Sequence, residues 1–287
     1  MIRGLCLLFA LSACHLLDPK PGLEMILAVE STDPGALQQT VVTLRNRLER
    51  AGVRGSKVEA RADGKVRVLL PASRDPERVR TILTRSARLE FRIVDEESPL
   101  LRDLSLPSDS PVEHGMDRRD DWSSGTVYQE HYLVAASPKE LEAVLASVEV
   151  PTSVSVLFGD HPDGRVRTYV VRAPELTGEF IESAETRLDE MAMTHSVFIR
   201  FDTQGARMFE KLTEENVQRK LAIVLDDEVM SAPVIQERIS GGSAQVTLGG
   251  GRNPKETEAE ARDLASMLSA GALPVPVTVD SETVLAP

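Results

Sequence analysis

Two neighbouring carboxylates, Asp226 and Asp227, lie just upstream of a serine, Ser231. A carboxylate pair can divide general acid and general base work, and a serine beside a base can act as a nucleophile. However, no G-x-S-x-G motif surrounds Ser231, and the sequence places no obvious base beside it. The two aspartates join two apolar segments by two residues, where Asp tolerates the positive φ of a tight hairpin turn. The pattern therefore predicts a structural role for all three residues and no catalytic residue.

The other candidates for chemistry are also weak. No histidine shows HExxH spacing or an i,i+4 pair on a predicted helix, the arrangements that hold a zinc ion. The run Gly249-Gly250-Gly251-Arg252 precedes a predicted helix and could cradle a phosphate, but the Lys-Ser/Thr pair of a P-loop is missing, which favours a flexible turn. We expect neither a metal nor a cofactor. The five histidines are His15, His114, His131, His161 and His195.

Composition and charge narrow the class of partner. The 287 residues are 41% hydrophobic and carry a formal net charge of −12. Nucleic-acid binding needs a basic face, so the acidic balance argues against such a partner. The sequence has no polybasic run that would hold the folded part on an anionic membrane surface.

The first thirteen residues, 1–13, are typical of a secretory signal peptide. Arg3 precedes the apolar run Leu5–Leu11, which is too short to span a bilayer. Leu11-Ser12-Ala13-Cys14 resembles the lipobox of bacterial lipoproteins, in which the cysteine receives a diacylglycerol and becomes the first residue after cleavage. An ordinary signal peptide with an incidental cysteine is the alternative.

The resemblance to the lipobox has consequences for anchoring and location. It implies that Cys14 is lipidated, that residues 14–22 form a tether, and that the membrane is bound through the lipid only. Such a protein belongs to the bacterial cell envelope and faces the periplasm. His15, in place of an aspartate after the cysteine, favours the outer membrane over the inner one.

Beyond the tether, the chain is predicted to form two α+β units. Over residues 23–95, apolar periodicity and two Asp-Pro helix starts give the order β-α-β-β-α-β of ferredoxin-like folds. Residues 96–174 are predicted to be an irregular connection, in which the polar stretch 109–121 forms a mobile loop. Residues 175–275 form a second unit with antiparallel sheets, and residues 276–287 return to the first unit as a strand and tail.

Several segments resemble the SecD subunit of the bacterial protein-export machinery, specifically its large periplasmic region, P1. Residues 225–235, LDDEVMSAPVI, are similar to the LDGEVxSAPVI segment of that family. Residues 261–274 resemble its ARDLAxxLxAGALP element, residues 176–180 its LTGxxL/I element, and residues 89–92 its LEFR element. The residues expected to be structural signatures of the family are Asp226, Asp227, Glu228, Ser231, Ala232, Pro233, Gly241, Gly242, Gly271, Leu273 and Pro274.

The resemblance implies a P1 base over residues 23–95 and a P1 head over residues 175–275. It also implies a non-enzymatic module that binds extended or unfolded polypeptide during or after protein export, with Sec translocon components as further partners. Sheet edges suit this role, because an extended chain can add to an edge through main-chain hydrogen bonds. Two alternatives stay open: an adaptor lipoprotein for a folded envelope protein, and a periplasmic hydrolase.

The sequence departs from the family pattern in three places. The opening GLDLxGG segment is reduced to Gly22-Leu23, and Asp227 replaces the glycine of the family's DG turn. The family continues into a membrane domain that carries a proton-coupled motor together with SecF, whereas this sequence ends at Pro287. We therefore expect no motor activity from this chain alone.

Overall fold

The computed structural model describes residues 21–72, 75–121, 125–189, 194–247 and 254–285, so Cys14 and the Gly249–Arg252 run lie outside it. Within these ranges no helix combines the length and apolar character needed to cross a bilayer.

The helices are α1 (Pro34–Arg50), α2 (Pro76–Thr84), α3 (Pro138–Leu145), α4 (Thr203–Glu215) and α5 (Pro254–Ala270). The strands are β1 (Pro21–Val29), β2 (Lys57–Ala60), β3 (Val66–Pro71), β4 (Leu89–Ile93), β5 (Glu113–Asp121), β6 (Thr126–Ala135), β7 (Val154–Asp160), β8 (Val166–Arg172), β9 (Leu176–Thr177), β10 (Ile181–Asp189), β11 (Thr194–Phe201), β12 (Leu221–Leu225), β13 (Glu228–Ser231), β14 (Ser243–Thr247) and β15 (Val277–Val284).

We call residues 21–84 and 277–285 the base. Its four-stranded antiparallel sheet has the order β15-β1-β3-β2, and residues of α1 and α2 pack with the strands in one hydrophobic core. Asp33 begins α1 by accepting hydrogen bonds from the backbone amides of Gly35 and Ala36 at 3.2 and 2.9 Å. This is the strand order of a ferredoxin-like fold. The predicted class, α+β with a ferredoxin-like base, is confirmed.

The fourth strand of the base is not the predicted one. β15 pairs with β1 from Leu23–Val284 to Val29–Val277, whereas β4 pairs with β12 and β9 in a different sheet. The prediction that residues 23–95 supply the whole βαββαβ order is therefore wrong at its last strand. That position is taken by β15, which lies within the residues 276–287 that were predicted to return to the base. The physical reason is that the alternation of apolar and charged residues in β4, LEFRI, predicts a strand with one apolar face but does not say which sheet that strand joins.

Residues 96–174 are regular, contrary to the prediction of an irregular connection. They supply β5 to β8 to an eight-stranded sheet of order β5-β6-β8-β7-β13-β12-β4-β9. The predicted mobile loop, 109–121, contains the nine-residue strand β5. Its half-buried positions include the charged residues Asp117 and Arg119, so the inward face has no apolar alternation for a sequence pattern to detect.

We call residues 89–270 the head. Besides the eight-stranded sheet it contains a three-stranded sheet, β10-β11-β14, with α4 and α5 packed into the same core. Phe91 of β4, Phe201 of β11 and Phe209 of α4 form a ring cluster with centroid separations of 5.1 to 5.7 Å. Edge-to-face contacts of this kind add to the burial energy of the rings. The cluster ties the two head sheets together.

Two linkers, residues 85–88 and 271–276, connect base and head, and one buried side chain of the base binds both. The guanidinium of Arg47 donates hydrogen bonds to the carbonyls of Ile82, Arg85, Ser86 and Gly271. Burial lowers the pKa of Arg47 to about 10, partly offset by Asp226, so the side chain stays charged at neutral pH. Arg47 therefore fixes the point where the chain leaves the base and returns to it.

Candidate functional site

The Asp226-Asp227 pair forms the predicted two-residue hairpin turn between β12 and β13. The two residues have φ of 52° and 68°, and Leu225 pairs with Glu228 across the turn. Positive φ at both central residues defines a type I′ turn, whose twist matches that of the flanking strands. The turn geometry alone accounts for short polar residues at both positions.

Asp226 also binds the first linker. Its carboxylate accepts hydrogen bonds from the backbone amides of Ala87 and Arg88 at 3.2 and 2.8 Å, and from Arg85 Nε at 3.1 Å. Ala87 has φ 58°, an uncommon conformation for a residue with a side chain, and these contacts hold it there. Both carboxylate oxygens accept hydrogen bonds, so Asp226 holds the first linker in position. Asp227 pairs with exposed Arg88 at 2.7 Å and is itself 62% exposed.

The remaining signature residues do not converge on one site. Glu228 and Ser231 lie at the two ends of β13, and the carbonyl of Pro233 accepts a hydrogen bond from the Leu221 amide at 2.9 Å. Gly242 has φ 58°, and a Cβ there would lie 2.7 Å from the Cβ of Ala206. The other signature residues flank these positions, namely Ala232 and Gly241, or lie in the second linker, namely Gly271, Leu273 and Pro274.

The head contains an apolar groove of about 360 Å³ between β14 and segment 233–239. Phe209 and Leu221 contribute to it from α4 and β12, and Ile239 at its rim is 37% exposed. Among the signature residues, Pro233 lines it. No groove was predicted here, although Pro233 followed by the apolar residues Val234 and Ile235 was the available signal.

One side of the groove is a free strand edge. β14 pairs with β11, and no described strand pairs with the other side of β14. The facing segment is held by the rest of the head: Ile235 N donates to Arg219 O at 2.9 Å, and Ile239 N donates to Thr213 Oγ1 at 3.0 Å. The groove therefore combines a strand edge that no described strand covers with a fixed apolar wall.

A charged cluster lies on the eight-stranded sheet. Glu130 and Arg167 are buried and joined at 2.8 Å, Arg167 also binds Asp117 at 2.9 Å, and Lys220 Nζ lies 2.5 Å from Glu130 and 3.1 Å from Asp117. The Arg167 guanidinium stacks over the Tyr132 ring at 3.6 Å. The cluster binds β5, β6, β8 and the start of β12 to one another.

The protonation behaviour of this cluster indicates ion pairing. Burial alone would raise the pKa of Asp117, but Arg167 and Lys220 outweigh that effect and hold the pKa below its ordinary value. Burial would likewise lower the pKa of Lys220, but Glu130 and Asp117 keep it raised. A general acid needs a raised carboxyl pKa and a nucleophilic lysine a lowered one, so the two shifts do not favour these roles for Asp117 and Lys220.

The architecture defines a class of protein: an α+β domain in which a large head is inserted before the last strand of a ferredoxin-like base. Two family models match this chain, namely SecDF, P1 head subdomain, over residues 155–275, and Protein translocase subunit SecDF, P1 domain, N-terminal, over residues 37–96. Together the two matches cover more than half of the chain. The chain belongs to the SecD family, in its P1 region.

Similar proteins and structures agree with this assignment. Protein translocase subunit SecD of Anaeromyxobacter dehalogenans is 34% identical over 276 residues, which cover 86% of this chain and 45% of that protein. SecD of Syntrophobacter fumaroxidans is 31% identical, with 90% of this chain and 41% of that protein covered. The chain thus spans less than half the length of these relatives.

Two solved structures share the fold. SecDF in a super-membrane-facing form superposes with a TM-score of 0.62 at 26% identity, over 93% of this chain and 30% of that one. A second structure, of a SecDF described as a membrane component that enhances protein export, superposes with a TM-score of 0.57 at 23% identity. It covers 90% of this chain and 98% of the other.

Proposed function

We propose that this protein captures extended, unfolded polypeptide in the head groove during or after protein export. The observation that carries the proposal is the unpaired edge of β14 beside the apolar groove. Main-chain hydrogen bonds to a strand edge give affinity for any extended sequence, and apolar pockets select alternate side chains. The relatives named as protein translocase subunits support an association with the Sec translocon.

The test of capture uses the full chain and reduced, carboxymethylated α-lactalbumin, a permanently unfolded polypeptide, as a fluorescent ligand. Ile239→Glu places a charge at the groove rim, and we expect it to weaken the Kd roughly tenfold, which corresponds to about 1.4 kcal/mol. Val217→Glu is the matched control, because Val217 is an exposed apolar residue that does not line the groove. Equal effects of the two substitutions would contradict the proposal.

The same assay separates the alternatives. Capture of folded envelope proteins without any affinity for the carboxymethylated ligand would favour the adaptor. Turnover of an ester, glycoside or phosphate, lost on Asp117→Asn or Lys220→Met, would favour a hydrolase built on the charged cluster. We expect neither result.

Lipid anchoring is proposed on the lipobox-like sequence that ends at Cys14. A diacylated cysteine with a further acyl chain gives stable attachment, where a single chain is marginal. The proposal places the protein in the bacterial envelope, facing the periplasm, with His15 favouring the outer membrane. Cys14→Ala is expected to release the chain from washed membranes or block its processing, as measured by fractionation and mass spectrometry. Retention of the variant in the pellet after a high-salt wash would refute the anchor.

A further inference from the structure

A second cavity, of about 380 Å³, lies between the base and the head and is lined mostly by polar residues. Arg50, the last residue of α1, lines it from the base. From the head it is lined by Thr186 of β10 and by Arg262, Ser266 and Ser269 of α5, among others. Two guanidinium groups and three hydroxyls therefore surround one cleft.

Several of these donors are available to a ligand. The guanidinium of Arg50 has no ion pair or hydrogen bond with any other described residue. Thr186 Oγ1 is buried without a hydrogen-bond partner in the described part of the chain. Arg262 uses one nitrogen, Nη2, on Glu258 at 2.5 Å. A buried hydroxyl without a partner costs free energy, so a ligand that accepts its hydrogen bond is favoured.

The charge balance of the cleft is positive. Glu185 is the acidic residue among those that line it, and its carboxylate lies 3.6 Å from Arg187. Because side chains alternate along a strand, Glu185 and Arg187 point to the face of β10 opposite Thr186. Glu258 partly offsets Arg262, so Arg50 supplies the excess positive charge of the cleft, in a protein whose overall charge is −12.

We infer that this cleft binds a phosphate group. Guanidinium forks match phosphate oxygens in charge and geometry, and the Thr186 hydroxyl supplies a further hydrogen bond. The other two hydroxyls already donate within the head, Ser266 to the carbonyl of Arg262 and Ser269 to that of Ala184. Because Arg50 belongs to the base and the other donors to the head, a bound phosphate joins the two units. The phosphate is either a free anion or the headgroup of an anionic phospholipid, and the experiment separates these sources.

The experiment uses the full chain with Cys14→Ala, so that no lipid anchor contributes. Inorganic phosphate is titrated by calorimetry and by thermal unfolding, against sodium chloride at equal ionic strength. We expect saturable binding and a rise in Tm that chloride does not reproduce, because a ligand specific to the folded state stabilises it. Arg50→Gln is expected to weaken binding roughly tenfold, and Thr186→Val to weaken it less.

Arg54→Gln is the matched control, since Arg54 is an exposed arginine near the same helix end that does not line the cleft. Sedimentation with phosphatidylglycerol vesicles, lost on Arg50→Gln, would assign the site to a lipid headgroup. Phosphate binding without vesicle binding would assign it to a free anion. Equal losses in Arg50→Gln and Arg54→Gln, or stabilisation no greater than with chloride, would overturn the inference.

Discussion

Asp226 has one structural role that the sequence predicts, in a hairpin turn, and one that it does not, in binding a distant linker. The hairpin turn follows from two aspartates between two apolar segments, and φ of 52° and 68° agree with that prediction. The hydrogen bonds from Ala87 and Arg88 could not be foreseen, because those residues lie 139 and 138 positions away. The turn could thus be predicted from the sequence, whereas the contacts of Asp226 with the linker depend on the fold.

Asp226→Ala is predicted to destabilise the protein by about 2 kcal/mol, because it removes three hydrogen bonds to a charged acceptor and frees a strained linker. Urea unfolding measures the loss. Hydrogen exchange should also show faster exchange at residues 85–88 than in the natural protein. A variant of unchanged stability would mean that the linker is held by other contacts.

Asp227→Gly is predicted to be neutral, or stabilising by up to about 1 kcal/mol, because glycine adopts φ 68° without strain. Asp227→Val should cost more than that gain, because a β-branched side chain fits positive φ badly. The two midpoints of urea unfolding give the comparison. Loss of polypeptide capture in Asp227→Asn at an unchanged Tm would instead assign this turn to the functional surface.

Asp117 gives a prediction on pH. Its folded-state pKa lies below the ordinary value, so the stability it contributes is present above the unfolded pKa and is lost as pH falls through the folded pKa. Unfolding below pH 4 should therefore depend less steeply on pH in Asp117→Asn than in the natural protein. The difference should stay below about 1 kcal/mol, because Asp117 is 42% exposed and screened by water. Identical slopes would place Asp117 outside the ion-pair cluster in solution.

At the scale of elements, local signals located helices well and strand partners poorly. Asp-Pro pairs mark the starts of α1 and α2, and glycine follows the end of α1 and of α5. The choice between β4 and β15 as the fourth base strand depends on pairing over more than 250 residues, which no local pattern encodes. β5 was missed for another reason, because its inward side chains include Asp117 and Arg119, which pair with charged residues outside the strand and leave no apolar period.

The head groove could be predicted from the sequence in part only. The expectation that sheet edges bind an extended chain named no residues, since an edge exists only once β10, β11 and β14 have paired. Pro233 and the apolar residues after it were visible in the sequence. Their arrangement against β14 depends on hydrogen bonds from Ile235 and Ile239 to distant residues.

The assignment of β15 to the base can be tested on the strand itself. Val277 is 3% exposed in the base core and Val284, on the same strand, is 82% exposed. Val277→Ala is predicted to destabilise the protein by about 1 to 2 kcal/mol, and Val284→Ala by less than about 0.5 kcal/mol. Urea unfolding of both variants supplies the measurement and its control. Similar small effects would argue that β15 does not complete the base in solution.

At the scale of the whole molecule, Arg47 is the side chain of the base that binds both linkers to the head. Arg47→Met is predicted to cost about 3 kcal/mol, because three linker carbonyls and that of Ile82 in α2 lose their charged donor. Arg47→Lys should also be destabilising, since one ammonium cannot reproduce a planar fork of donors.

The control for this prediction is Arg45→Lys, because Arg45 is exposed and makes one hydrogen bond, to Val58 O at 3.2 Å. Hydrogen exchange should show joint loosening of residues 82–88 and 271–273 in the Arg47 variants and none in the control. Loosening of one linker without the other would show that Arg47 does not couple them.

The pairing of the first described strand with the last has a consequence for synthesis. β1 emerges from the ribosome early, but its neighbour β15 is translated about 250 residues later. Until then one edge of β1 is open, and the base is a three-stranded fragment with an exposed apolar core. All the strands and helices of the head are complete before β15 exists, so the head can finish folding first. The base thus begins to be synthesised before the head but is completed after it.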